Sequence, residues 1–190
     1  GELDGSVAPR VKELQEILSH VAKVDITENI YGSRWTKLLA NSMTMGPYGL
    51  LGTRNAEAAG LDGLLEIQMN LGKESMEVGT ALGYNIEPVF GLNADDFSGS
   101  DDQVLITAMK TLMSHVGTRA RTAPIQDHIK GRRSEMAFIN GLVSSKGREV
   151  GIPTPYNDAV TEIALMIDKG ELEMDISNFE ILKMKIAESL

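Results

Sequence analysis

The sequence contains no cysteine, which excludes a disulfide framework and any chemistry that depends on a thiolate. A protein without cysteine suits a reducing compartment, and we expect a cytoplasmic protein. No apolar run approaches the roughly 20 residues that a membrane-spanning helix needs. These absences predict a globular protein that neither crosses a membrane nor relies on covalent cross-links.

Basic residues are also scarce, since 18 lysines and arginines face 27 aspartates and glutamates, for a net charge of −9. A nucleic-acid surface requires a basic patch that displaces counterions, so no nucleic-acid partner is expected. The composition is otherwise ordinary, with 42% hydrophobic and 24% charged residues. A chain of this length buries roughly 70% of the surface that its unfolded form exposes, which is enough for a core without metal or disulfides.

Two kinds of binding motif are missing. No Gly-x-Gly-x-x-Gly or P-loop pattern occurs, so the chain carries no nucleotide-binding fingerprint of its own. The three histidines, His20, His115 and His128, stand apart from one another and from any carboxylate cluster with metal-ligand spacing. We therefore expect no metal site, and structural or solvated roles for the histidines.

Apolar residues recur at helical spacing almost throughout, and hardly any stretch alternates as a strand does. The pattern predicts an all-α fold with about seven helices in one domain, residues 6–190. They are expected over about 11–21, 27–51, 60–83, 101–117, 131–150 and 155–169, with a last helix capped by Asp175 or Ser177. The composition of 88–100 and 122–127 predicts loops.

The opening residues 1–5 do not fit the helical pattern, because they resemble the end of a strand before a turn. We interpret them as the last piece of a unit that precedes the helical domain.

The second predicted helix places Lys37, Asn41 and Met45 on one face, at spacings of four residues. A lysine ammonium can supply a proton to a carbonyl oxygen, and an amide one turn away can orient that oxygen. Spacing alone equally allows a surface lysine whose stem packs on the helices. Both interpretations stay open at this point.

Two further polar residues stand near predicted helix ends. Glu135 precedes a hydrophobic run, where it could accept a hydrogen bond from a substrate hydroxyl, pair with Lys37, or simply favour the helix start through the macrodipole. Asn55 follows the break at Gly52 and could cap a helix or line a cleft.

Three segments together resemble the C-terminal domain of the ketopantoate reductases (2-dehydropantoate 2-reductases). The first is DITENIYGSRWTKL at 25–38, followed by Asn41. The second is GRRSE at 131–135, with QD at 126–127 before it and ING at 139–141 after it. The third is GIPTPYN at 151–157. They occur in the family's order and at about its separations. The resemblance implies a helical domain of the 6-phosphogluconate dehydrogenase-like type, which follows a Rossmann domain. Residues 1–5 resemble the end of that nucleotide-binding domain, so we expect them to be the tail of a domain missing from this chain.

The resemblance also implies a reaction and roles for individual residues. NADPH, held mainly by the Rossmann domain, gives a hydride to a 2-keto acid, and Lys37 matches the lysine that acts as general acid. Asn41 and Asn55 match asparagines that line the substrate cleft, and Glu135 matches the glutamate that holds the substrate hydroxyl. The fragment alone is then expected to be inactive, because it lacks the hydride source.

Two positions depart from the family pattern. Met45 stands where a second asparagine is usual, and Ala123 stands where a serine contacts the substrate carboxylate. Losing a hydrogen-bonding partner costs about 1–3 kcal/mol per unpaired group. We therefore expect either reduction of 2-dehydropantoate to pantoate, a step of pantothenate biosynthesis, or the reaction of a different 2-hydroxy acid.

A helical dimerisation module without catalysis is the alternative from another class, since ten methionines suit adaptable packing. We also expect an exposed apolar patch where the other domain docks, and a homodimer is an open alternative.

Overall fold

The computed structural model describes residues 1–58, 60–87, 101–115 and 120–190, with the side chains of 55, 56, 101, 108 and 112–115 outside the described part. These residues form nine helices and no strand, which confirms the all-α prediction. The helices are α1 Pro9–Ser19, α2 Ile30–Leu51, α3 Asn55–Ala58, α4 Leu64–Ala81, α5 Asp101–His115, α6 Ala123–Ile129, α7 Met136–Val150, α8 Pro155–Asp168 and α9 Asn178–Ser189.

The structure corrects the predicted loop over 122–127, because α6 occupies most of it. Thr122 is extended at the N-cap and Pro124 lies in the first turn, where proline costs no hydrogen bond. The helix predicted to begin at about residue 131 begins five residues later, at Met136. Gly131 adopts a φ of 66° in the turn that follows α6, so the chain leaves one helix there before it enters the next. The predicted loop over 88–100 lies outside the described residues.

Helix α2 forms the centre of the molecule and packs against α4, α7 and α8. Its C-terminal half joins the main core around Leu50, Leu71 and Ile163, all fully buried. Its N-terminal half approaches α4 closely: a Cβ added at Gly79 would lie 2.2 Å from Trp35 Nε1. The absence of a side chain at Gly79 is therefore what lets the indole reach α4.

A line of buried polar groups, here called the polar seam, crosses the core where four helices meet. It consists of Glu74 on α4, Asn157 on α8, Asn140 on α7 and the carbonyl of Ser42 on α2. The Asn157 amide donates to Glu74 Oε2 at 2.7 Å, Asn140 Nδ2 donates to Asn157 Oδ1 at 2.9 Å, and Asn140 Nδ2 also donates to Ser42 O at 3.2 Å. Buried polar groups must find partners, and here the partners join the helices to one another.

Helix α1 differs from the others because none of its residues is buried. Its apolar side chains face solvent, with Leu14 at 54%, Ile17 at 57% and Leu18 at 43% exposure. The structure thus shows an exposed apolar patch of the kind expected from the sequence. No helix in the described ranges is both long and apolar enough to cross a membrane.

Candidate functional site

The helix that carries Lys37 is fixed at its N-terminal end by side-chain hydrogen bonds. Asn29 caps α2 by accepting from the Gly32 amide at 3.0 Å, and its Nδ2 donates to Asn85 O at 2.9 Å. Trp35 Nε1 donates to Ser75 O on α4 at 2.8 Å. These bonds on both sides of the first turns hold the backbone next to Lys37 in one position.

Lys37, Asn41 and Met45 form a line along α2, which we call the α2 stripe. Lys37 is exposed, whereas Asn41 and Met45 are half-buried. At 1.5 Å per residue the stripe is about 12 Å long. The structure therefore keeps the three side chains accessible on one face, as the spacing predicted.

The first residues of α6 and α7 lie against the C-terminal end of this stripe. A Cβ added at Gly49, one turn beyond Met45, would lie 2.9 Å from Pro124 Cβ and 2.7 Å from Met136 Sδ. Ala123 and Glu135 immediately precede those two contact residues. Met45, Ala123 and Glu135 thus belong to the same end of the molecule, and Lys37 stands at the other end of the stripe.

Glu135 is exposed and occupies the N-cap of α7, but its side chain makes no capping hydrogen bond. Within the described ranges no ion pair within 4.0 Å joins Lys37 to Glu135. The direct pairing considered from the sequence is not observed. Both charged side chains are exposed.

Asn55 begins the short helix α3, and its side chain lies outside the described residues. Its predicted role in the cleft therefore remains a prediction.

Two cavities of about 400 and 520 Å³ are present, one between residues 1–2 and α1 and one between the α6–α7 connection and the end of α8. None of Lys37, Asn41 and Met45 lines either of these two cavities.

Two of the three histidines can be placed. His128 is buried, with Nδ1 3.8 Å from Asp168 Oδ1, and that carboxylate also accepts from the Ser134 amide at 2.9 Å. His20 is exposed at the end of α1, and the side chain of His115 lies outside the described part. In the described ranges no three metal-ligating side chains gather at metal-binding distance.

The polar seam is the feature that sequence reasoning missed. Glu74 occupies a position in the apolar register of α4, between Leu71 and Val78, and this is the signal that could have found it. Burial raises the pKa of the Glu74 carboxyl to about 7, although the amides of Tyr156 and Asn157 and the Asn157 side chain donate to it and oppose the shift. A glutamate at a core position predicts a buried acceptor that must be satisfied by a neighbouring helix.

The described residues define the class of the chain as an all-α domain with an accessible lysine on its central helix. Residues 29–168 match the family model described as ketopantoate reductase PanE/ApbA, C terminal. Because this match covers most of the chain, the chain belongs to that family.

Curated relatives are 2-dehydropantoate 2-reductases. The protein of Archaeoglobus fulgidus is 22% identical over 171 residues, 90% of this chain and 52% of its own length. That of Pyrococcus horikoshii is 26% identical over 149 residues, 77% of this chain and 44% of its own length. The chain thus spans about half the length of the curated relatives it matches.

Solved structures show the same fold. A PanE/ApbA family ketopantoate reductase from Ralstonia eutropha JMP134 superposes with a TM-score of 0.72 at 20% identity, covering 86% of this chain and 50% of that one. A D-mandelate dehydrogenase, described as a ternary structure with NADH and anilino(oxo)acetate, gives 0.70 at 21% identity, covering 85% and 48%. A dimeric ketopantoate reductase from Staphylococcus aureus gives 0.70 at 18% identity, covering 88% and 53%.

Proposed function

We propose that this chain is the substrate-side half of a nicotinamide-dependent 2-keto acid reductase, with NADP as the expected cofactor. The observation that carries the proposal is the α2 stripe. An exposed lysine on a fixed backbone, followed by an amide one turn on, lies in the segment that matches the family. An accessible lysine beside half-buried neighbours is what a general acid requires before its substrate arrives.

The chemistry divides between the two halves of the protein. The bound nicotinamide supplies the hydride to the keto carbon, and the Lys37 ammonium gives a proton to the oxygen that becomes the hydroxyl. Asn41, one turn along, donates a hydrogen bond to the same oxygen and keeps it facing the lysine. Glu135 accepts from a substrate hydroxyl at the far end of the stripe, because its carboxylate is not used as a cap.

The described residues fit only part of the cofactor. No glycine-rich turn precedes a helix N-terminus in the sequence, so these residues offer no cradle for a dinucleotide pyrophosphate. The open α2 stripe fits the reactive end, which approaches from outside this chain. We propose that the nucleotide is held by a Rossmann domain and that the exposed apolar face of α1 docks on that domain.

A second candidate substrate class is favoured by Met45 and Ala123. Both are apolar and stand at the end of the stripe where the substrate's side chain would lie. Glu135 supplies one acceptor at this end and the side chains of Met45 and Ala123 supply none, so this end suits a 2-keto acid with a more apolar side chain better than one that needs further polar partners. The similarity in fold to a protein named as a D-mandelate dehydrogenase supports including an aromatic 2-keto acid among the candidates.

A helical dimerisation module remains the alternative from another class. The presence of Lys37, Asn41, Asn55 and Glu135 together in the chain, within the segment that matches the family, argues against it. A module without catalysis has no need to keep these four residues.

The test is a substrate panel on the complete protein. Ketopantoate, 2-oxoisovalerate, benzoylformate and pyruvate are each assayed with NADPH and with NADH by following nicotinamide absorbance. We expect reduction of at least one 2-keto acid, with product formed in equal amount to the cofactor consumed. The proposal would be contradicted if the protein is shown to be folded and to bind nicotinamide but reduces no panel member with either cofactor.

A further inference from the structure

The α2 stripe and Glu135 belong to different helices, so their relative position depends on what joins α2 to α7. The side chain of Asn140 makes such a joint, because its Nδ2 donates to Ser42 O at 3.2 Å. Ser42 directly follows Asn41 in the stripe, and Asn140 lies about one and a half turns beyond Glu135. Asn140 is fully buried and touches neither the substrate face nor solvent.

The orientation of Asn140 is itself determined by the rest of the polar seam. Asn157 Oδ1 accepts from Asn140 Nδ2 at 2.9 Å, and the Asn157 amide in turn donates to Glu74 Oε2 at 2.7 Å. Glu74 also accepts from the backbone amides of Tyr156 and Asn157, both at 2.9 Å. The amide of Asn140 is therefore held from α4 and α8 while it holds α2.

Close packing at Gly46 leaves Asn140 no room to move. A Cβ at Gly46 would lie 2.5 Å from Asn140 Oδ1, well inside van der Waals contact. Gly46 lies one turn after Ser42 on the same face of α2. The two helices thus meet at a hydrogen bond and a direct contact within one turn.

We propose that Asn140 is a positioning residue, which sets the register of Glu135 on α7 relative to Lys37 and Asn41 on α2. The inference rests on the proposed reductase function, and it adds a residue that acts only through others. Since a displacement of about 1 Å in a reacting group costs on the order of 10²-fold in rate, a small shift of α7 along α2 is sufficient to impair the reaction.

The matched control is Asn178, a buried amide on α9 that also donates to a carbonyl of α2. Its Nδ2 donates to Leu50 O at 2.9 Å and to Glu173 O at 2.8 Å, and its residue is 1% exposed. Asn178→Ala removes two hydrogen bonds from a buried amide, as Asn140→Ala does, but at the end of α2 beyond the stripe. Both variants are expected to lower the melting temperature by similar amounts.

The experiment compares the two variants in the complete protein. For Asn140→Ala we expect kcat with the best 2-keto acid to fall on the order of 10²-fold, with Asn178→Ala within about threefold of the unaltered protein. Gly46→Ala, which displaces Asn140 without removing any hydrogen-bonding group, is expected to lower kcat in the same direction. Equal kcat losses in Asn140→Ala and Asn178→Ala would overturn the proposal, and so would an unchanged kcat in Asn140→Ala.

A second measurement does not depend on catalysis. Nitroxide labels are attached at Arg34→Cys on α2 and Phe138→Cys on α7, and the distance between them reports the register of the two helices. Both positions are exposed, and this chain has no cysteine of its own. The distance distribution should shift or broaden in Asn140→Ala and Gly46→Ala but not in Asn178→Ala. An unaltered protein that reduces no 2-keto acid defeats the proposed function, whereas an unchanged label distance in Asn140→Ala defeats the positioning role.

Discussion

At the residue scale, the polarity of the stripe's far end determines which substrate it suits. Met45 is half-buried and Ala123 opens α6 beside it, so neither offers a hydrogen bond. If the proposed function holds, this end of the stripe should favour an apolar group of the substrate.

Met45→Asn is expected to shift specificity toward ketopantoate. A restored hydrogen-bonding partner is worth about 1–3 kcal/mol, so the ratio of kcat/KM for ketopantoate over 2-oxoisovalerate should rise roughly 5- to 150-fold. Met69→Asn, a half-buried methionine on α4 that packs near Leu39 and Met43, is the control. A ratio unchanged in Met45→Asn, or changed equally in the control, would show that Met45 does not line the site.

Single residues also show what a sequence can and cannot reveal about a site. The line from Lys37 to Met45 was predictable because helical spacing is local and needs no knowledge of other helices. Asn140 stood in a quoted motif, yet its part in the polar seam was not predictable, since Ser42 and Asn157 reach it only through tertiary packing. The absence of a contact between Lys37 and Glu135 is likewise a tertiary fact.

At the scale of elements, Glu74 links the end of α4 to the start of α8. Its folded-state pKa, about 7, exceeds the ordinary value of 4.5 because burial disfavours the charged form. The folded protein therefore binds a proton more tightly than the unfolded chain does. Its stabilising contribution is complete below about pH 4.5 and is lost as the pH rises through about 7.

Glu74→Gln should remove this dependence. Between about pH 5 and pH 8 the unaltered protein should lose free energy of unfolding, on the order of 3 kcal/mol more than the variant does. Denaturant unfolding at a series of pH values checks this, and Glu66→Gln, an exposed change on α4, removes the same charge without burial. Parallel pH profiles for the unaltered protein and Glu74→Gln would contradict the assignment.

The helices themselves were largely predictable, and the misses have physical causes. Long apolar repeats gave α2, α4, α7 and α8 to within a few residues. Helix α6 was mistaken for a loop because its seven residues include Pro124, and a short helix owes its stability to packing rather than propensity. Here that packing is the contact of Pro124 with the backbone at Gly49.

At the scale of the whole molecule, α1 stands apart from the body formed by α2 to α9. With no buried residue, it contributes little to the core, and its apolar face is available to another domain. In the complete protein, Leu14→Ser with Ile17→Ser is expected to leave the melting of the helical body within about 2 °C while weakening nicotinamide binding severalfold. Fluorescence titration with NADPH measures this.

The control for α1 is Lys12→Ser with Glu16→Ser, two exposed polar positions on the same helix. Equal NADPH affinities in the two double variants would show that the apolar face does not dock on the nucleotide-binding half. A large loss of stability in the Leu14 and Ile17 variant would instead place α1 within the core.

The central claim is that Lys37 is the proton donor of a 2-keto acid reductase, and kcat/KM of Lys37→Ala in the complete protein tests it most directly. The control is Lys130→Ala, which changes an exposed lysine directly after α6. Positioned general acids contribute about 10²- to 10⁴-fold, so Lys37→Ala should lower kcat/KM by that factor while NADPH affinity and melting temperature stay near those of the unaltered protein. Lys130→Ala should remain within about twofold. A Lys37→Ala protein that reduces the same 2-keto acid as fast as Lys130→Ala does would contradict the account.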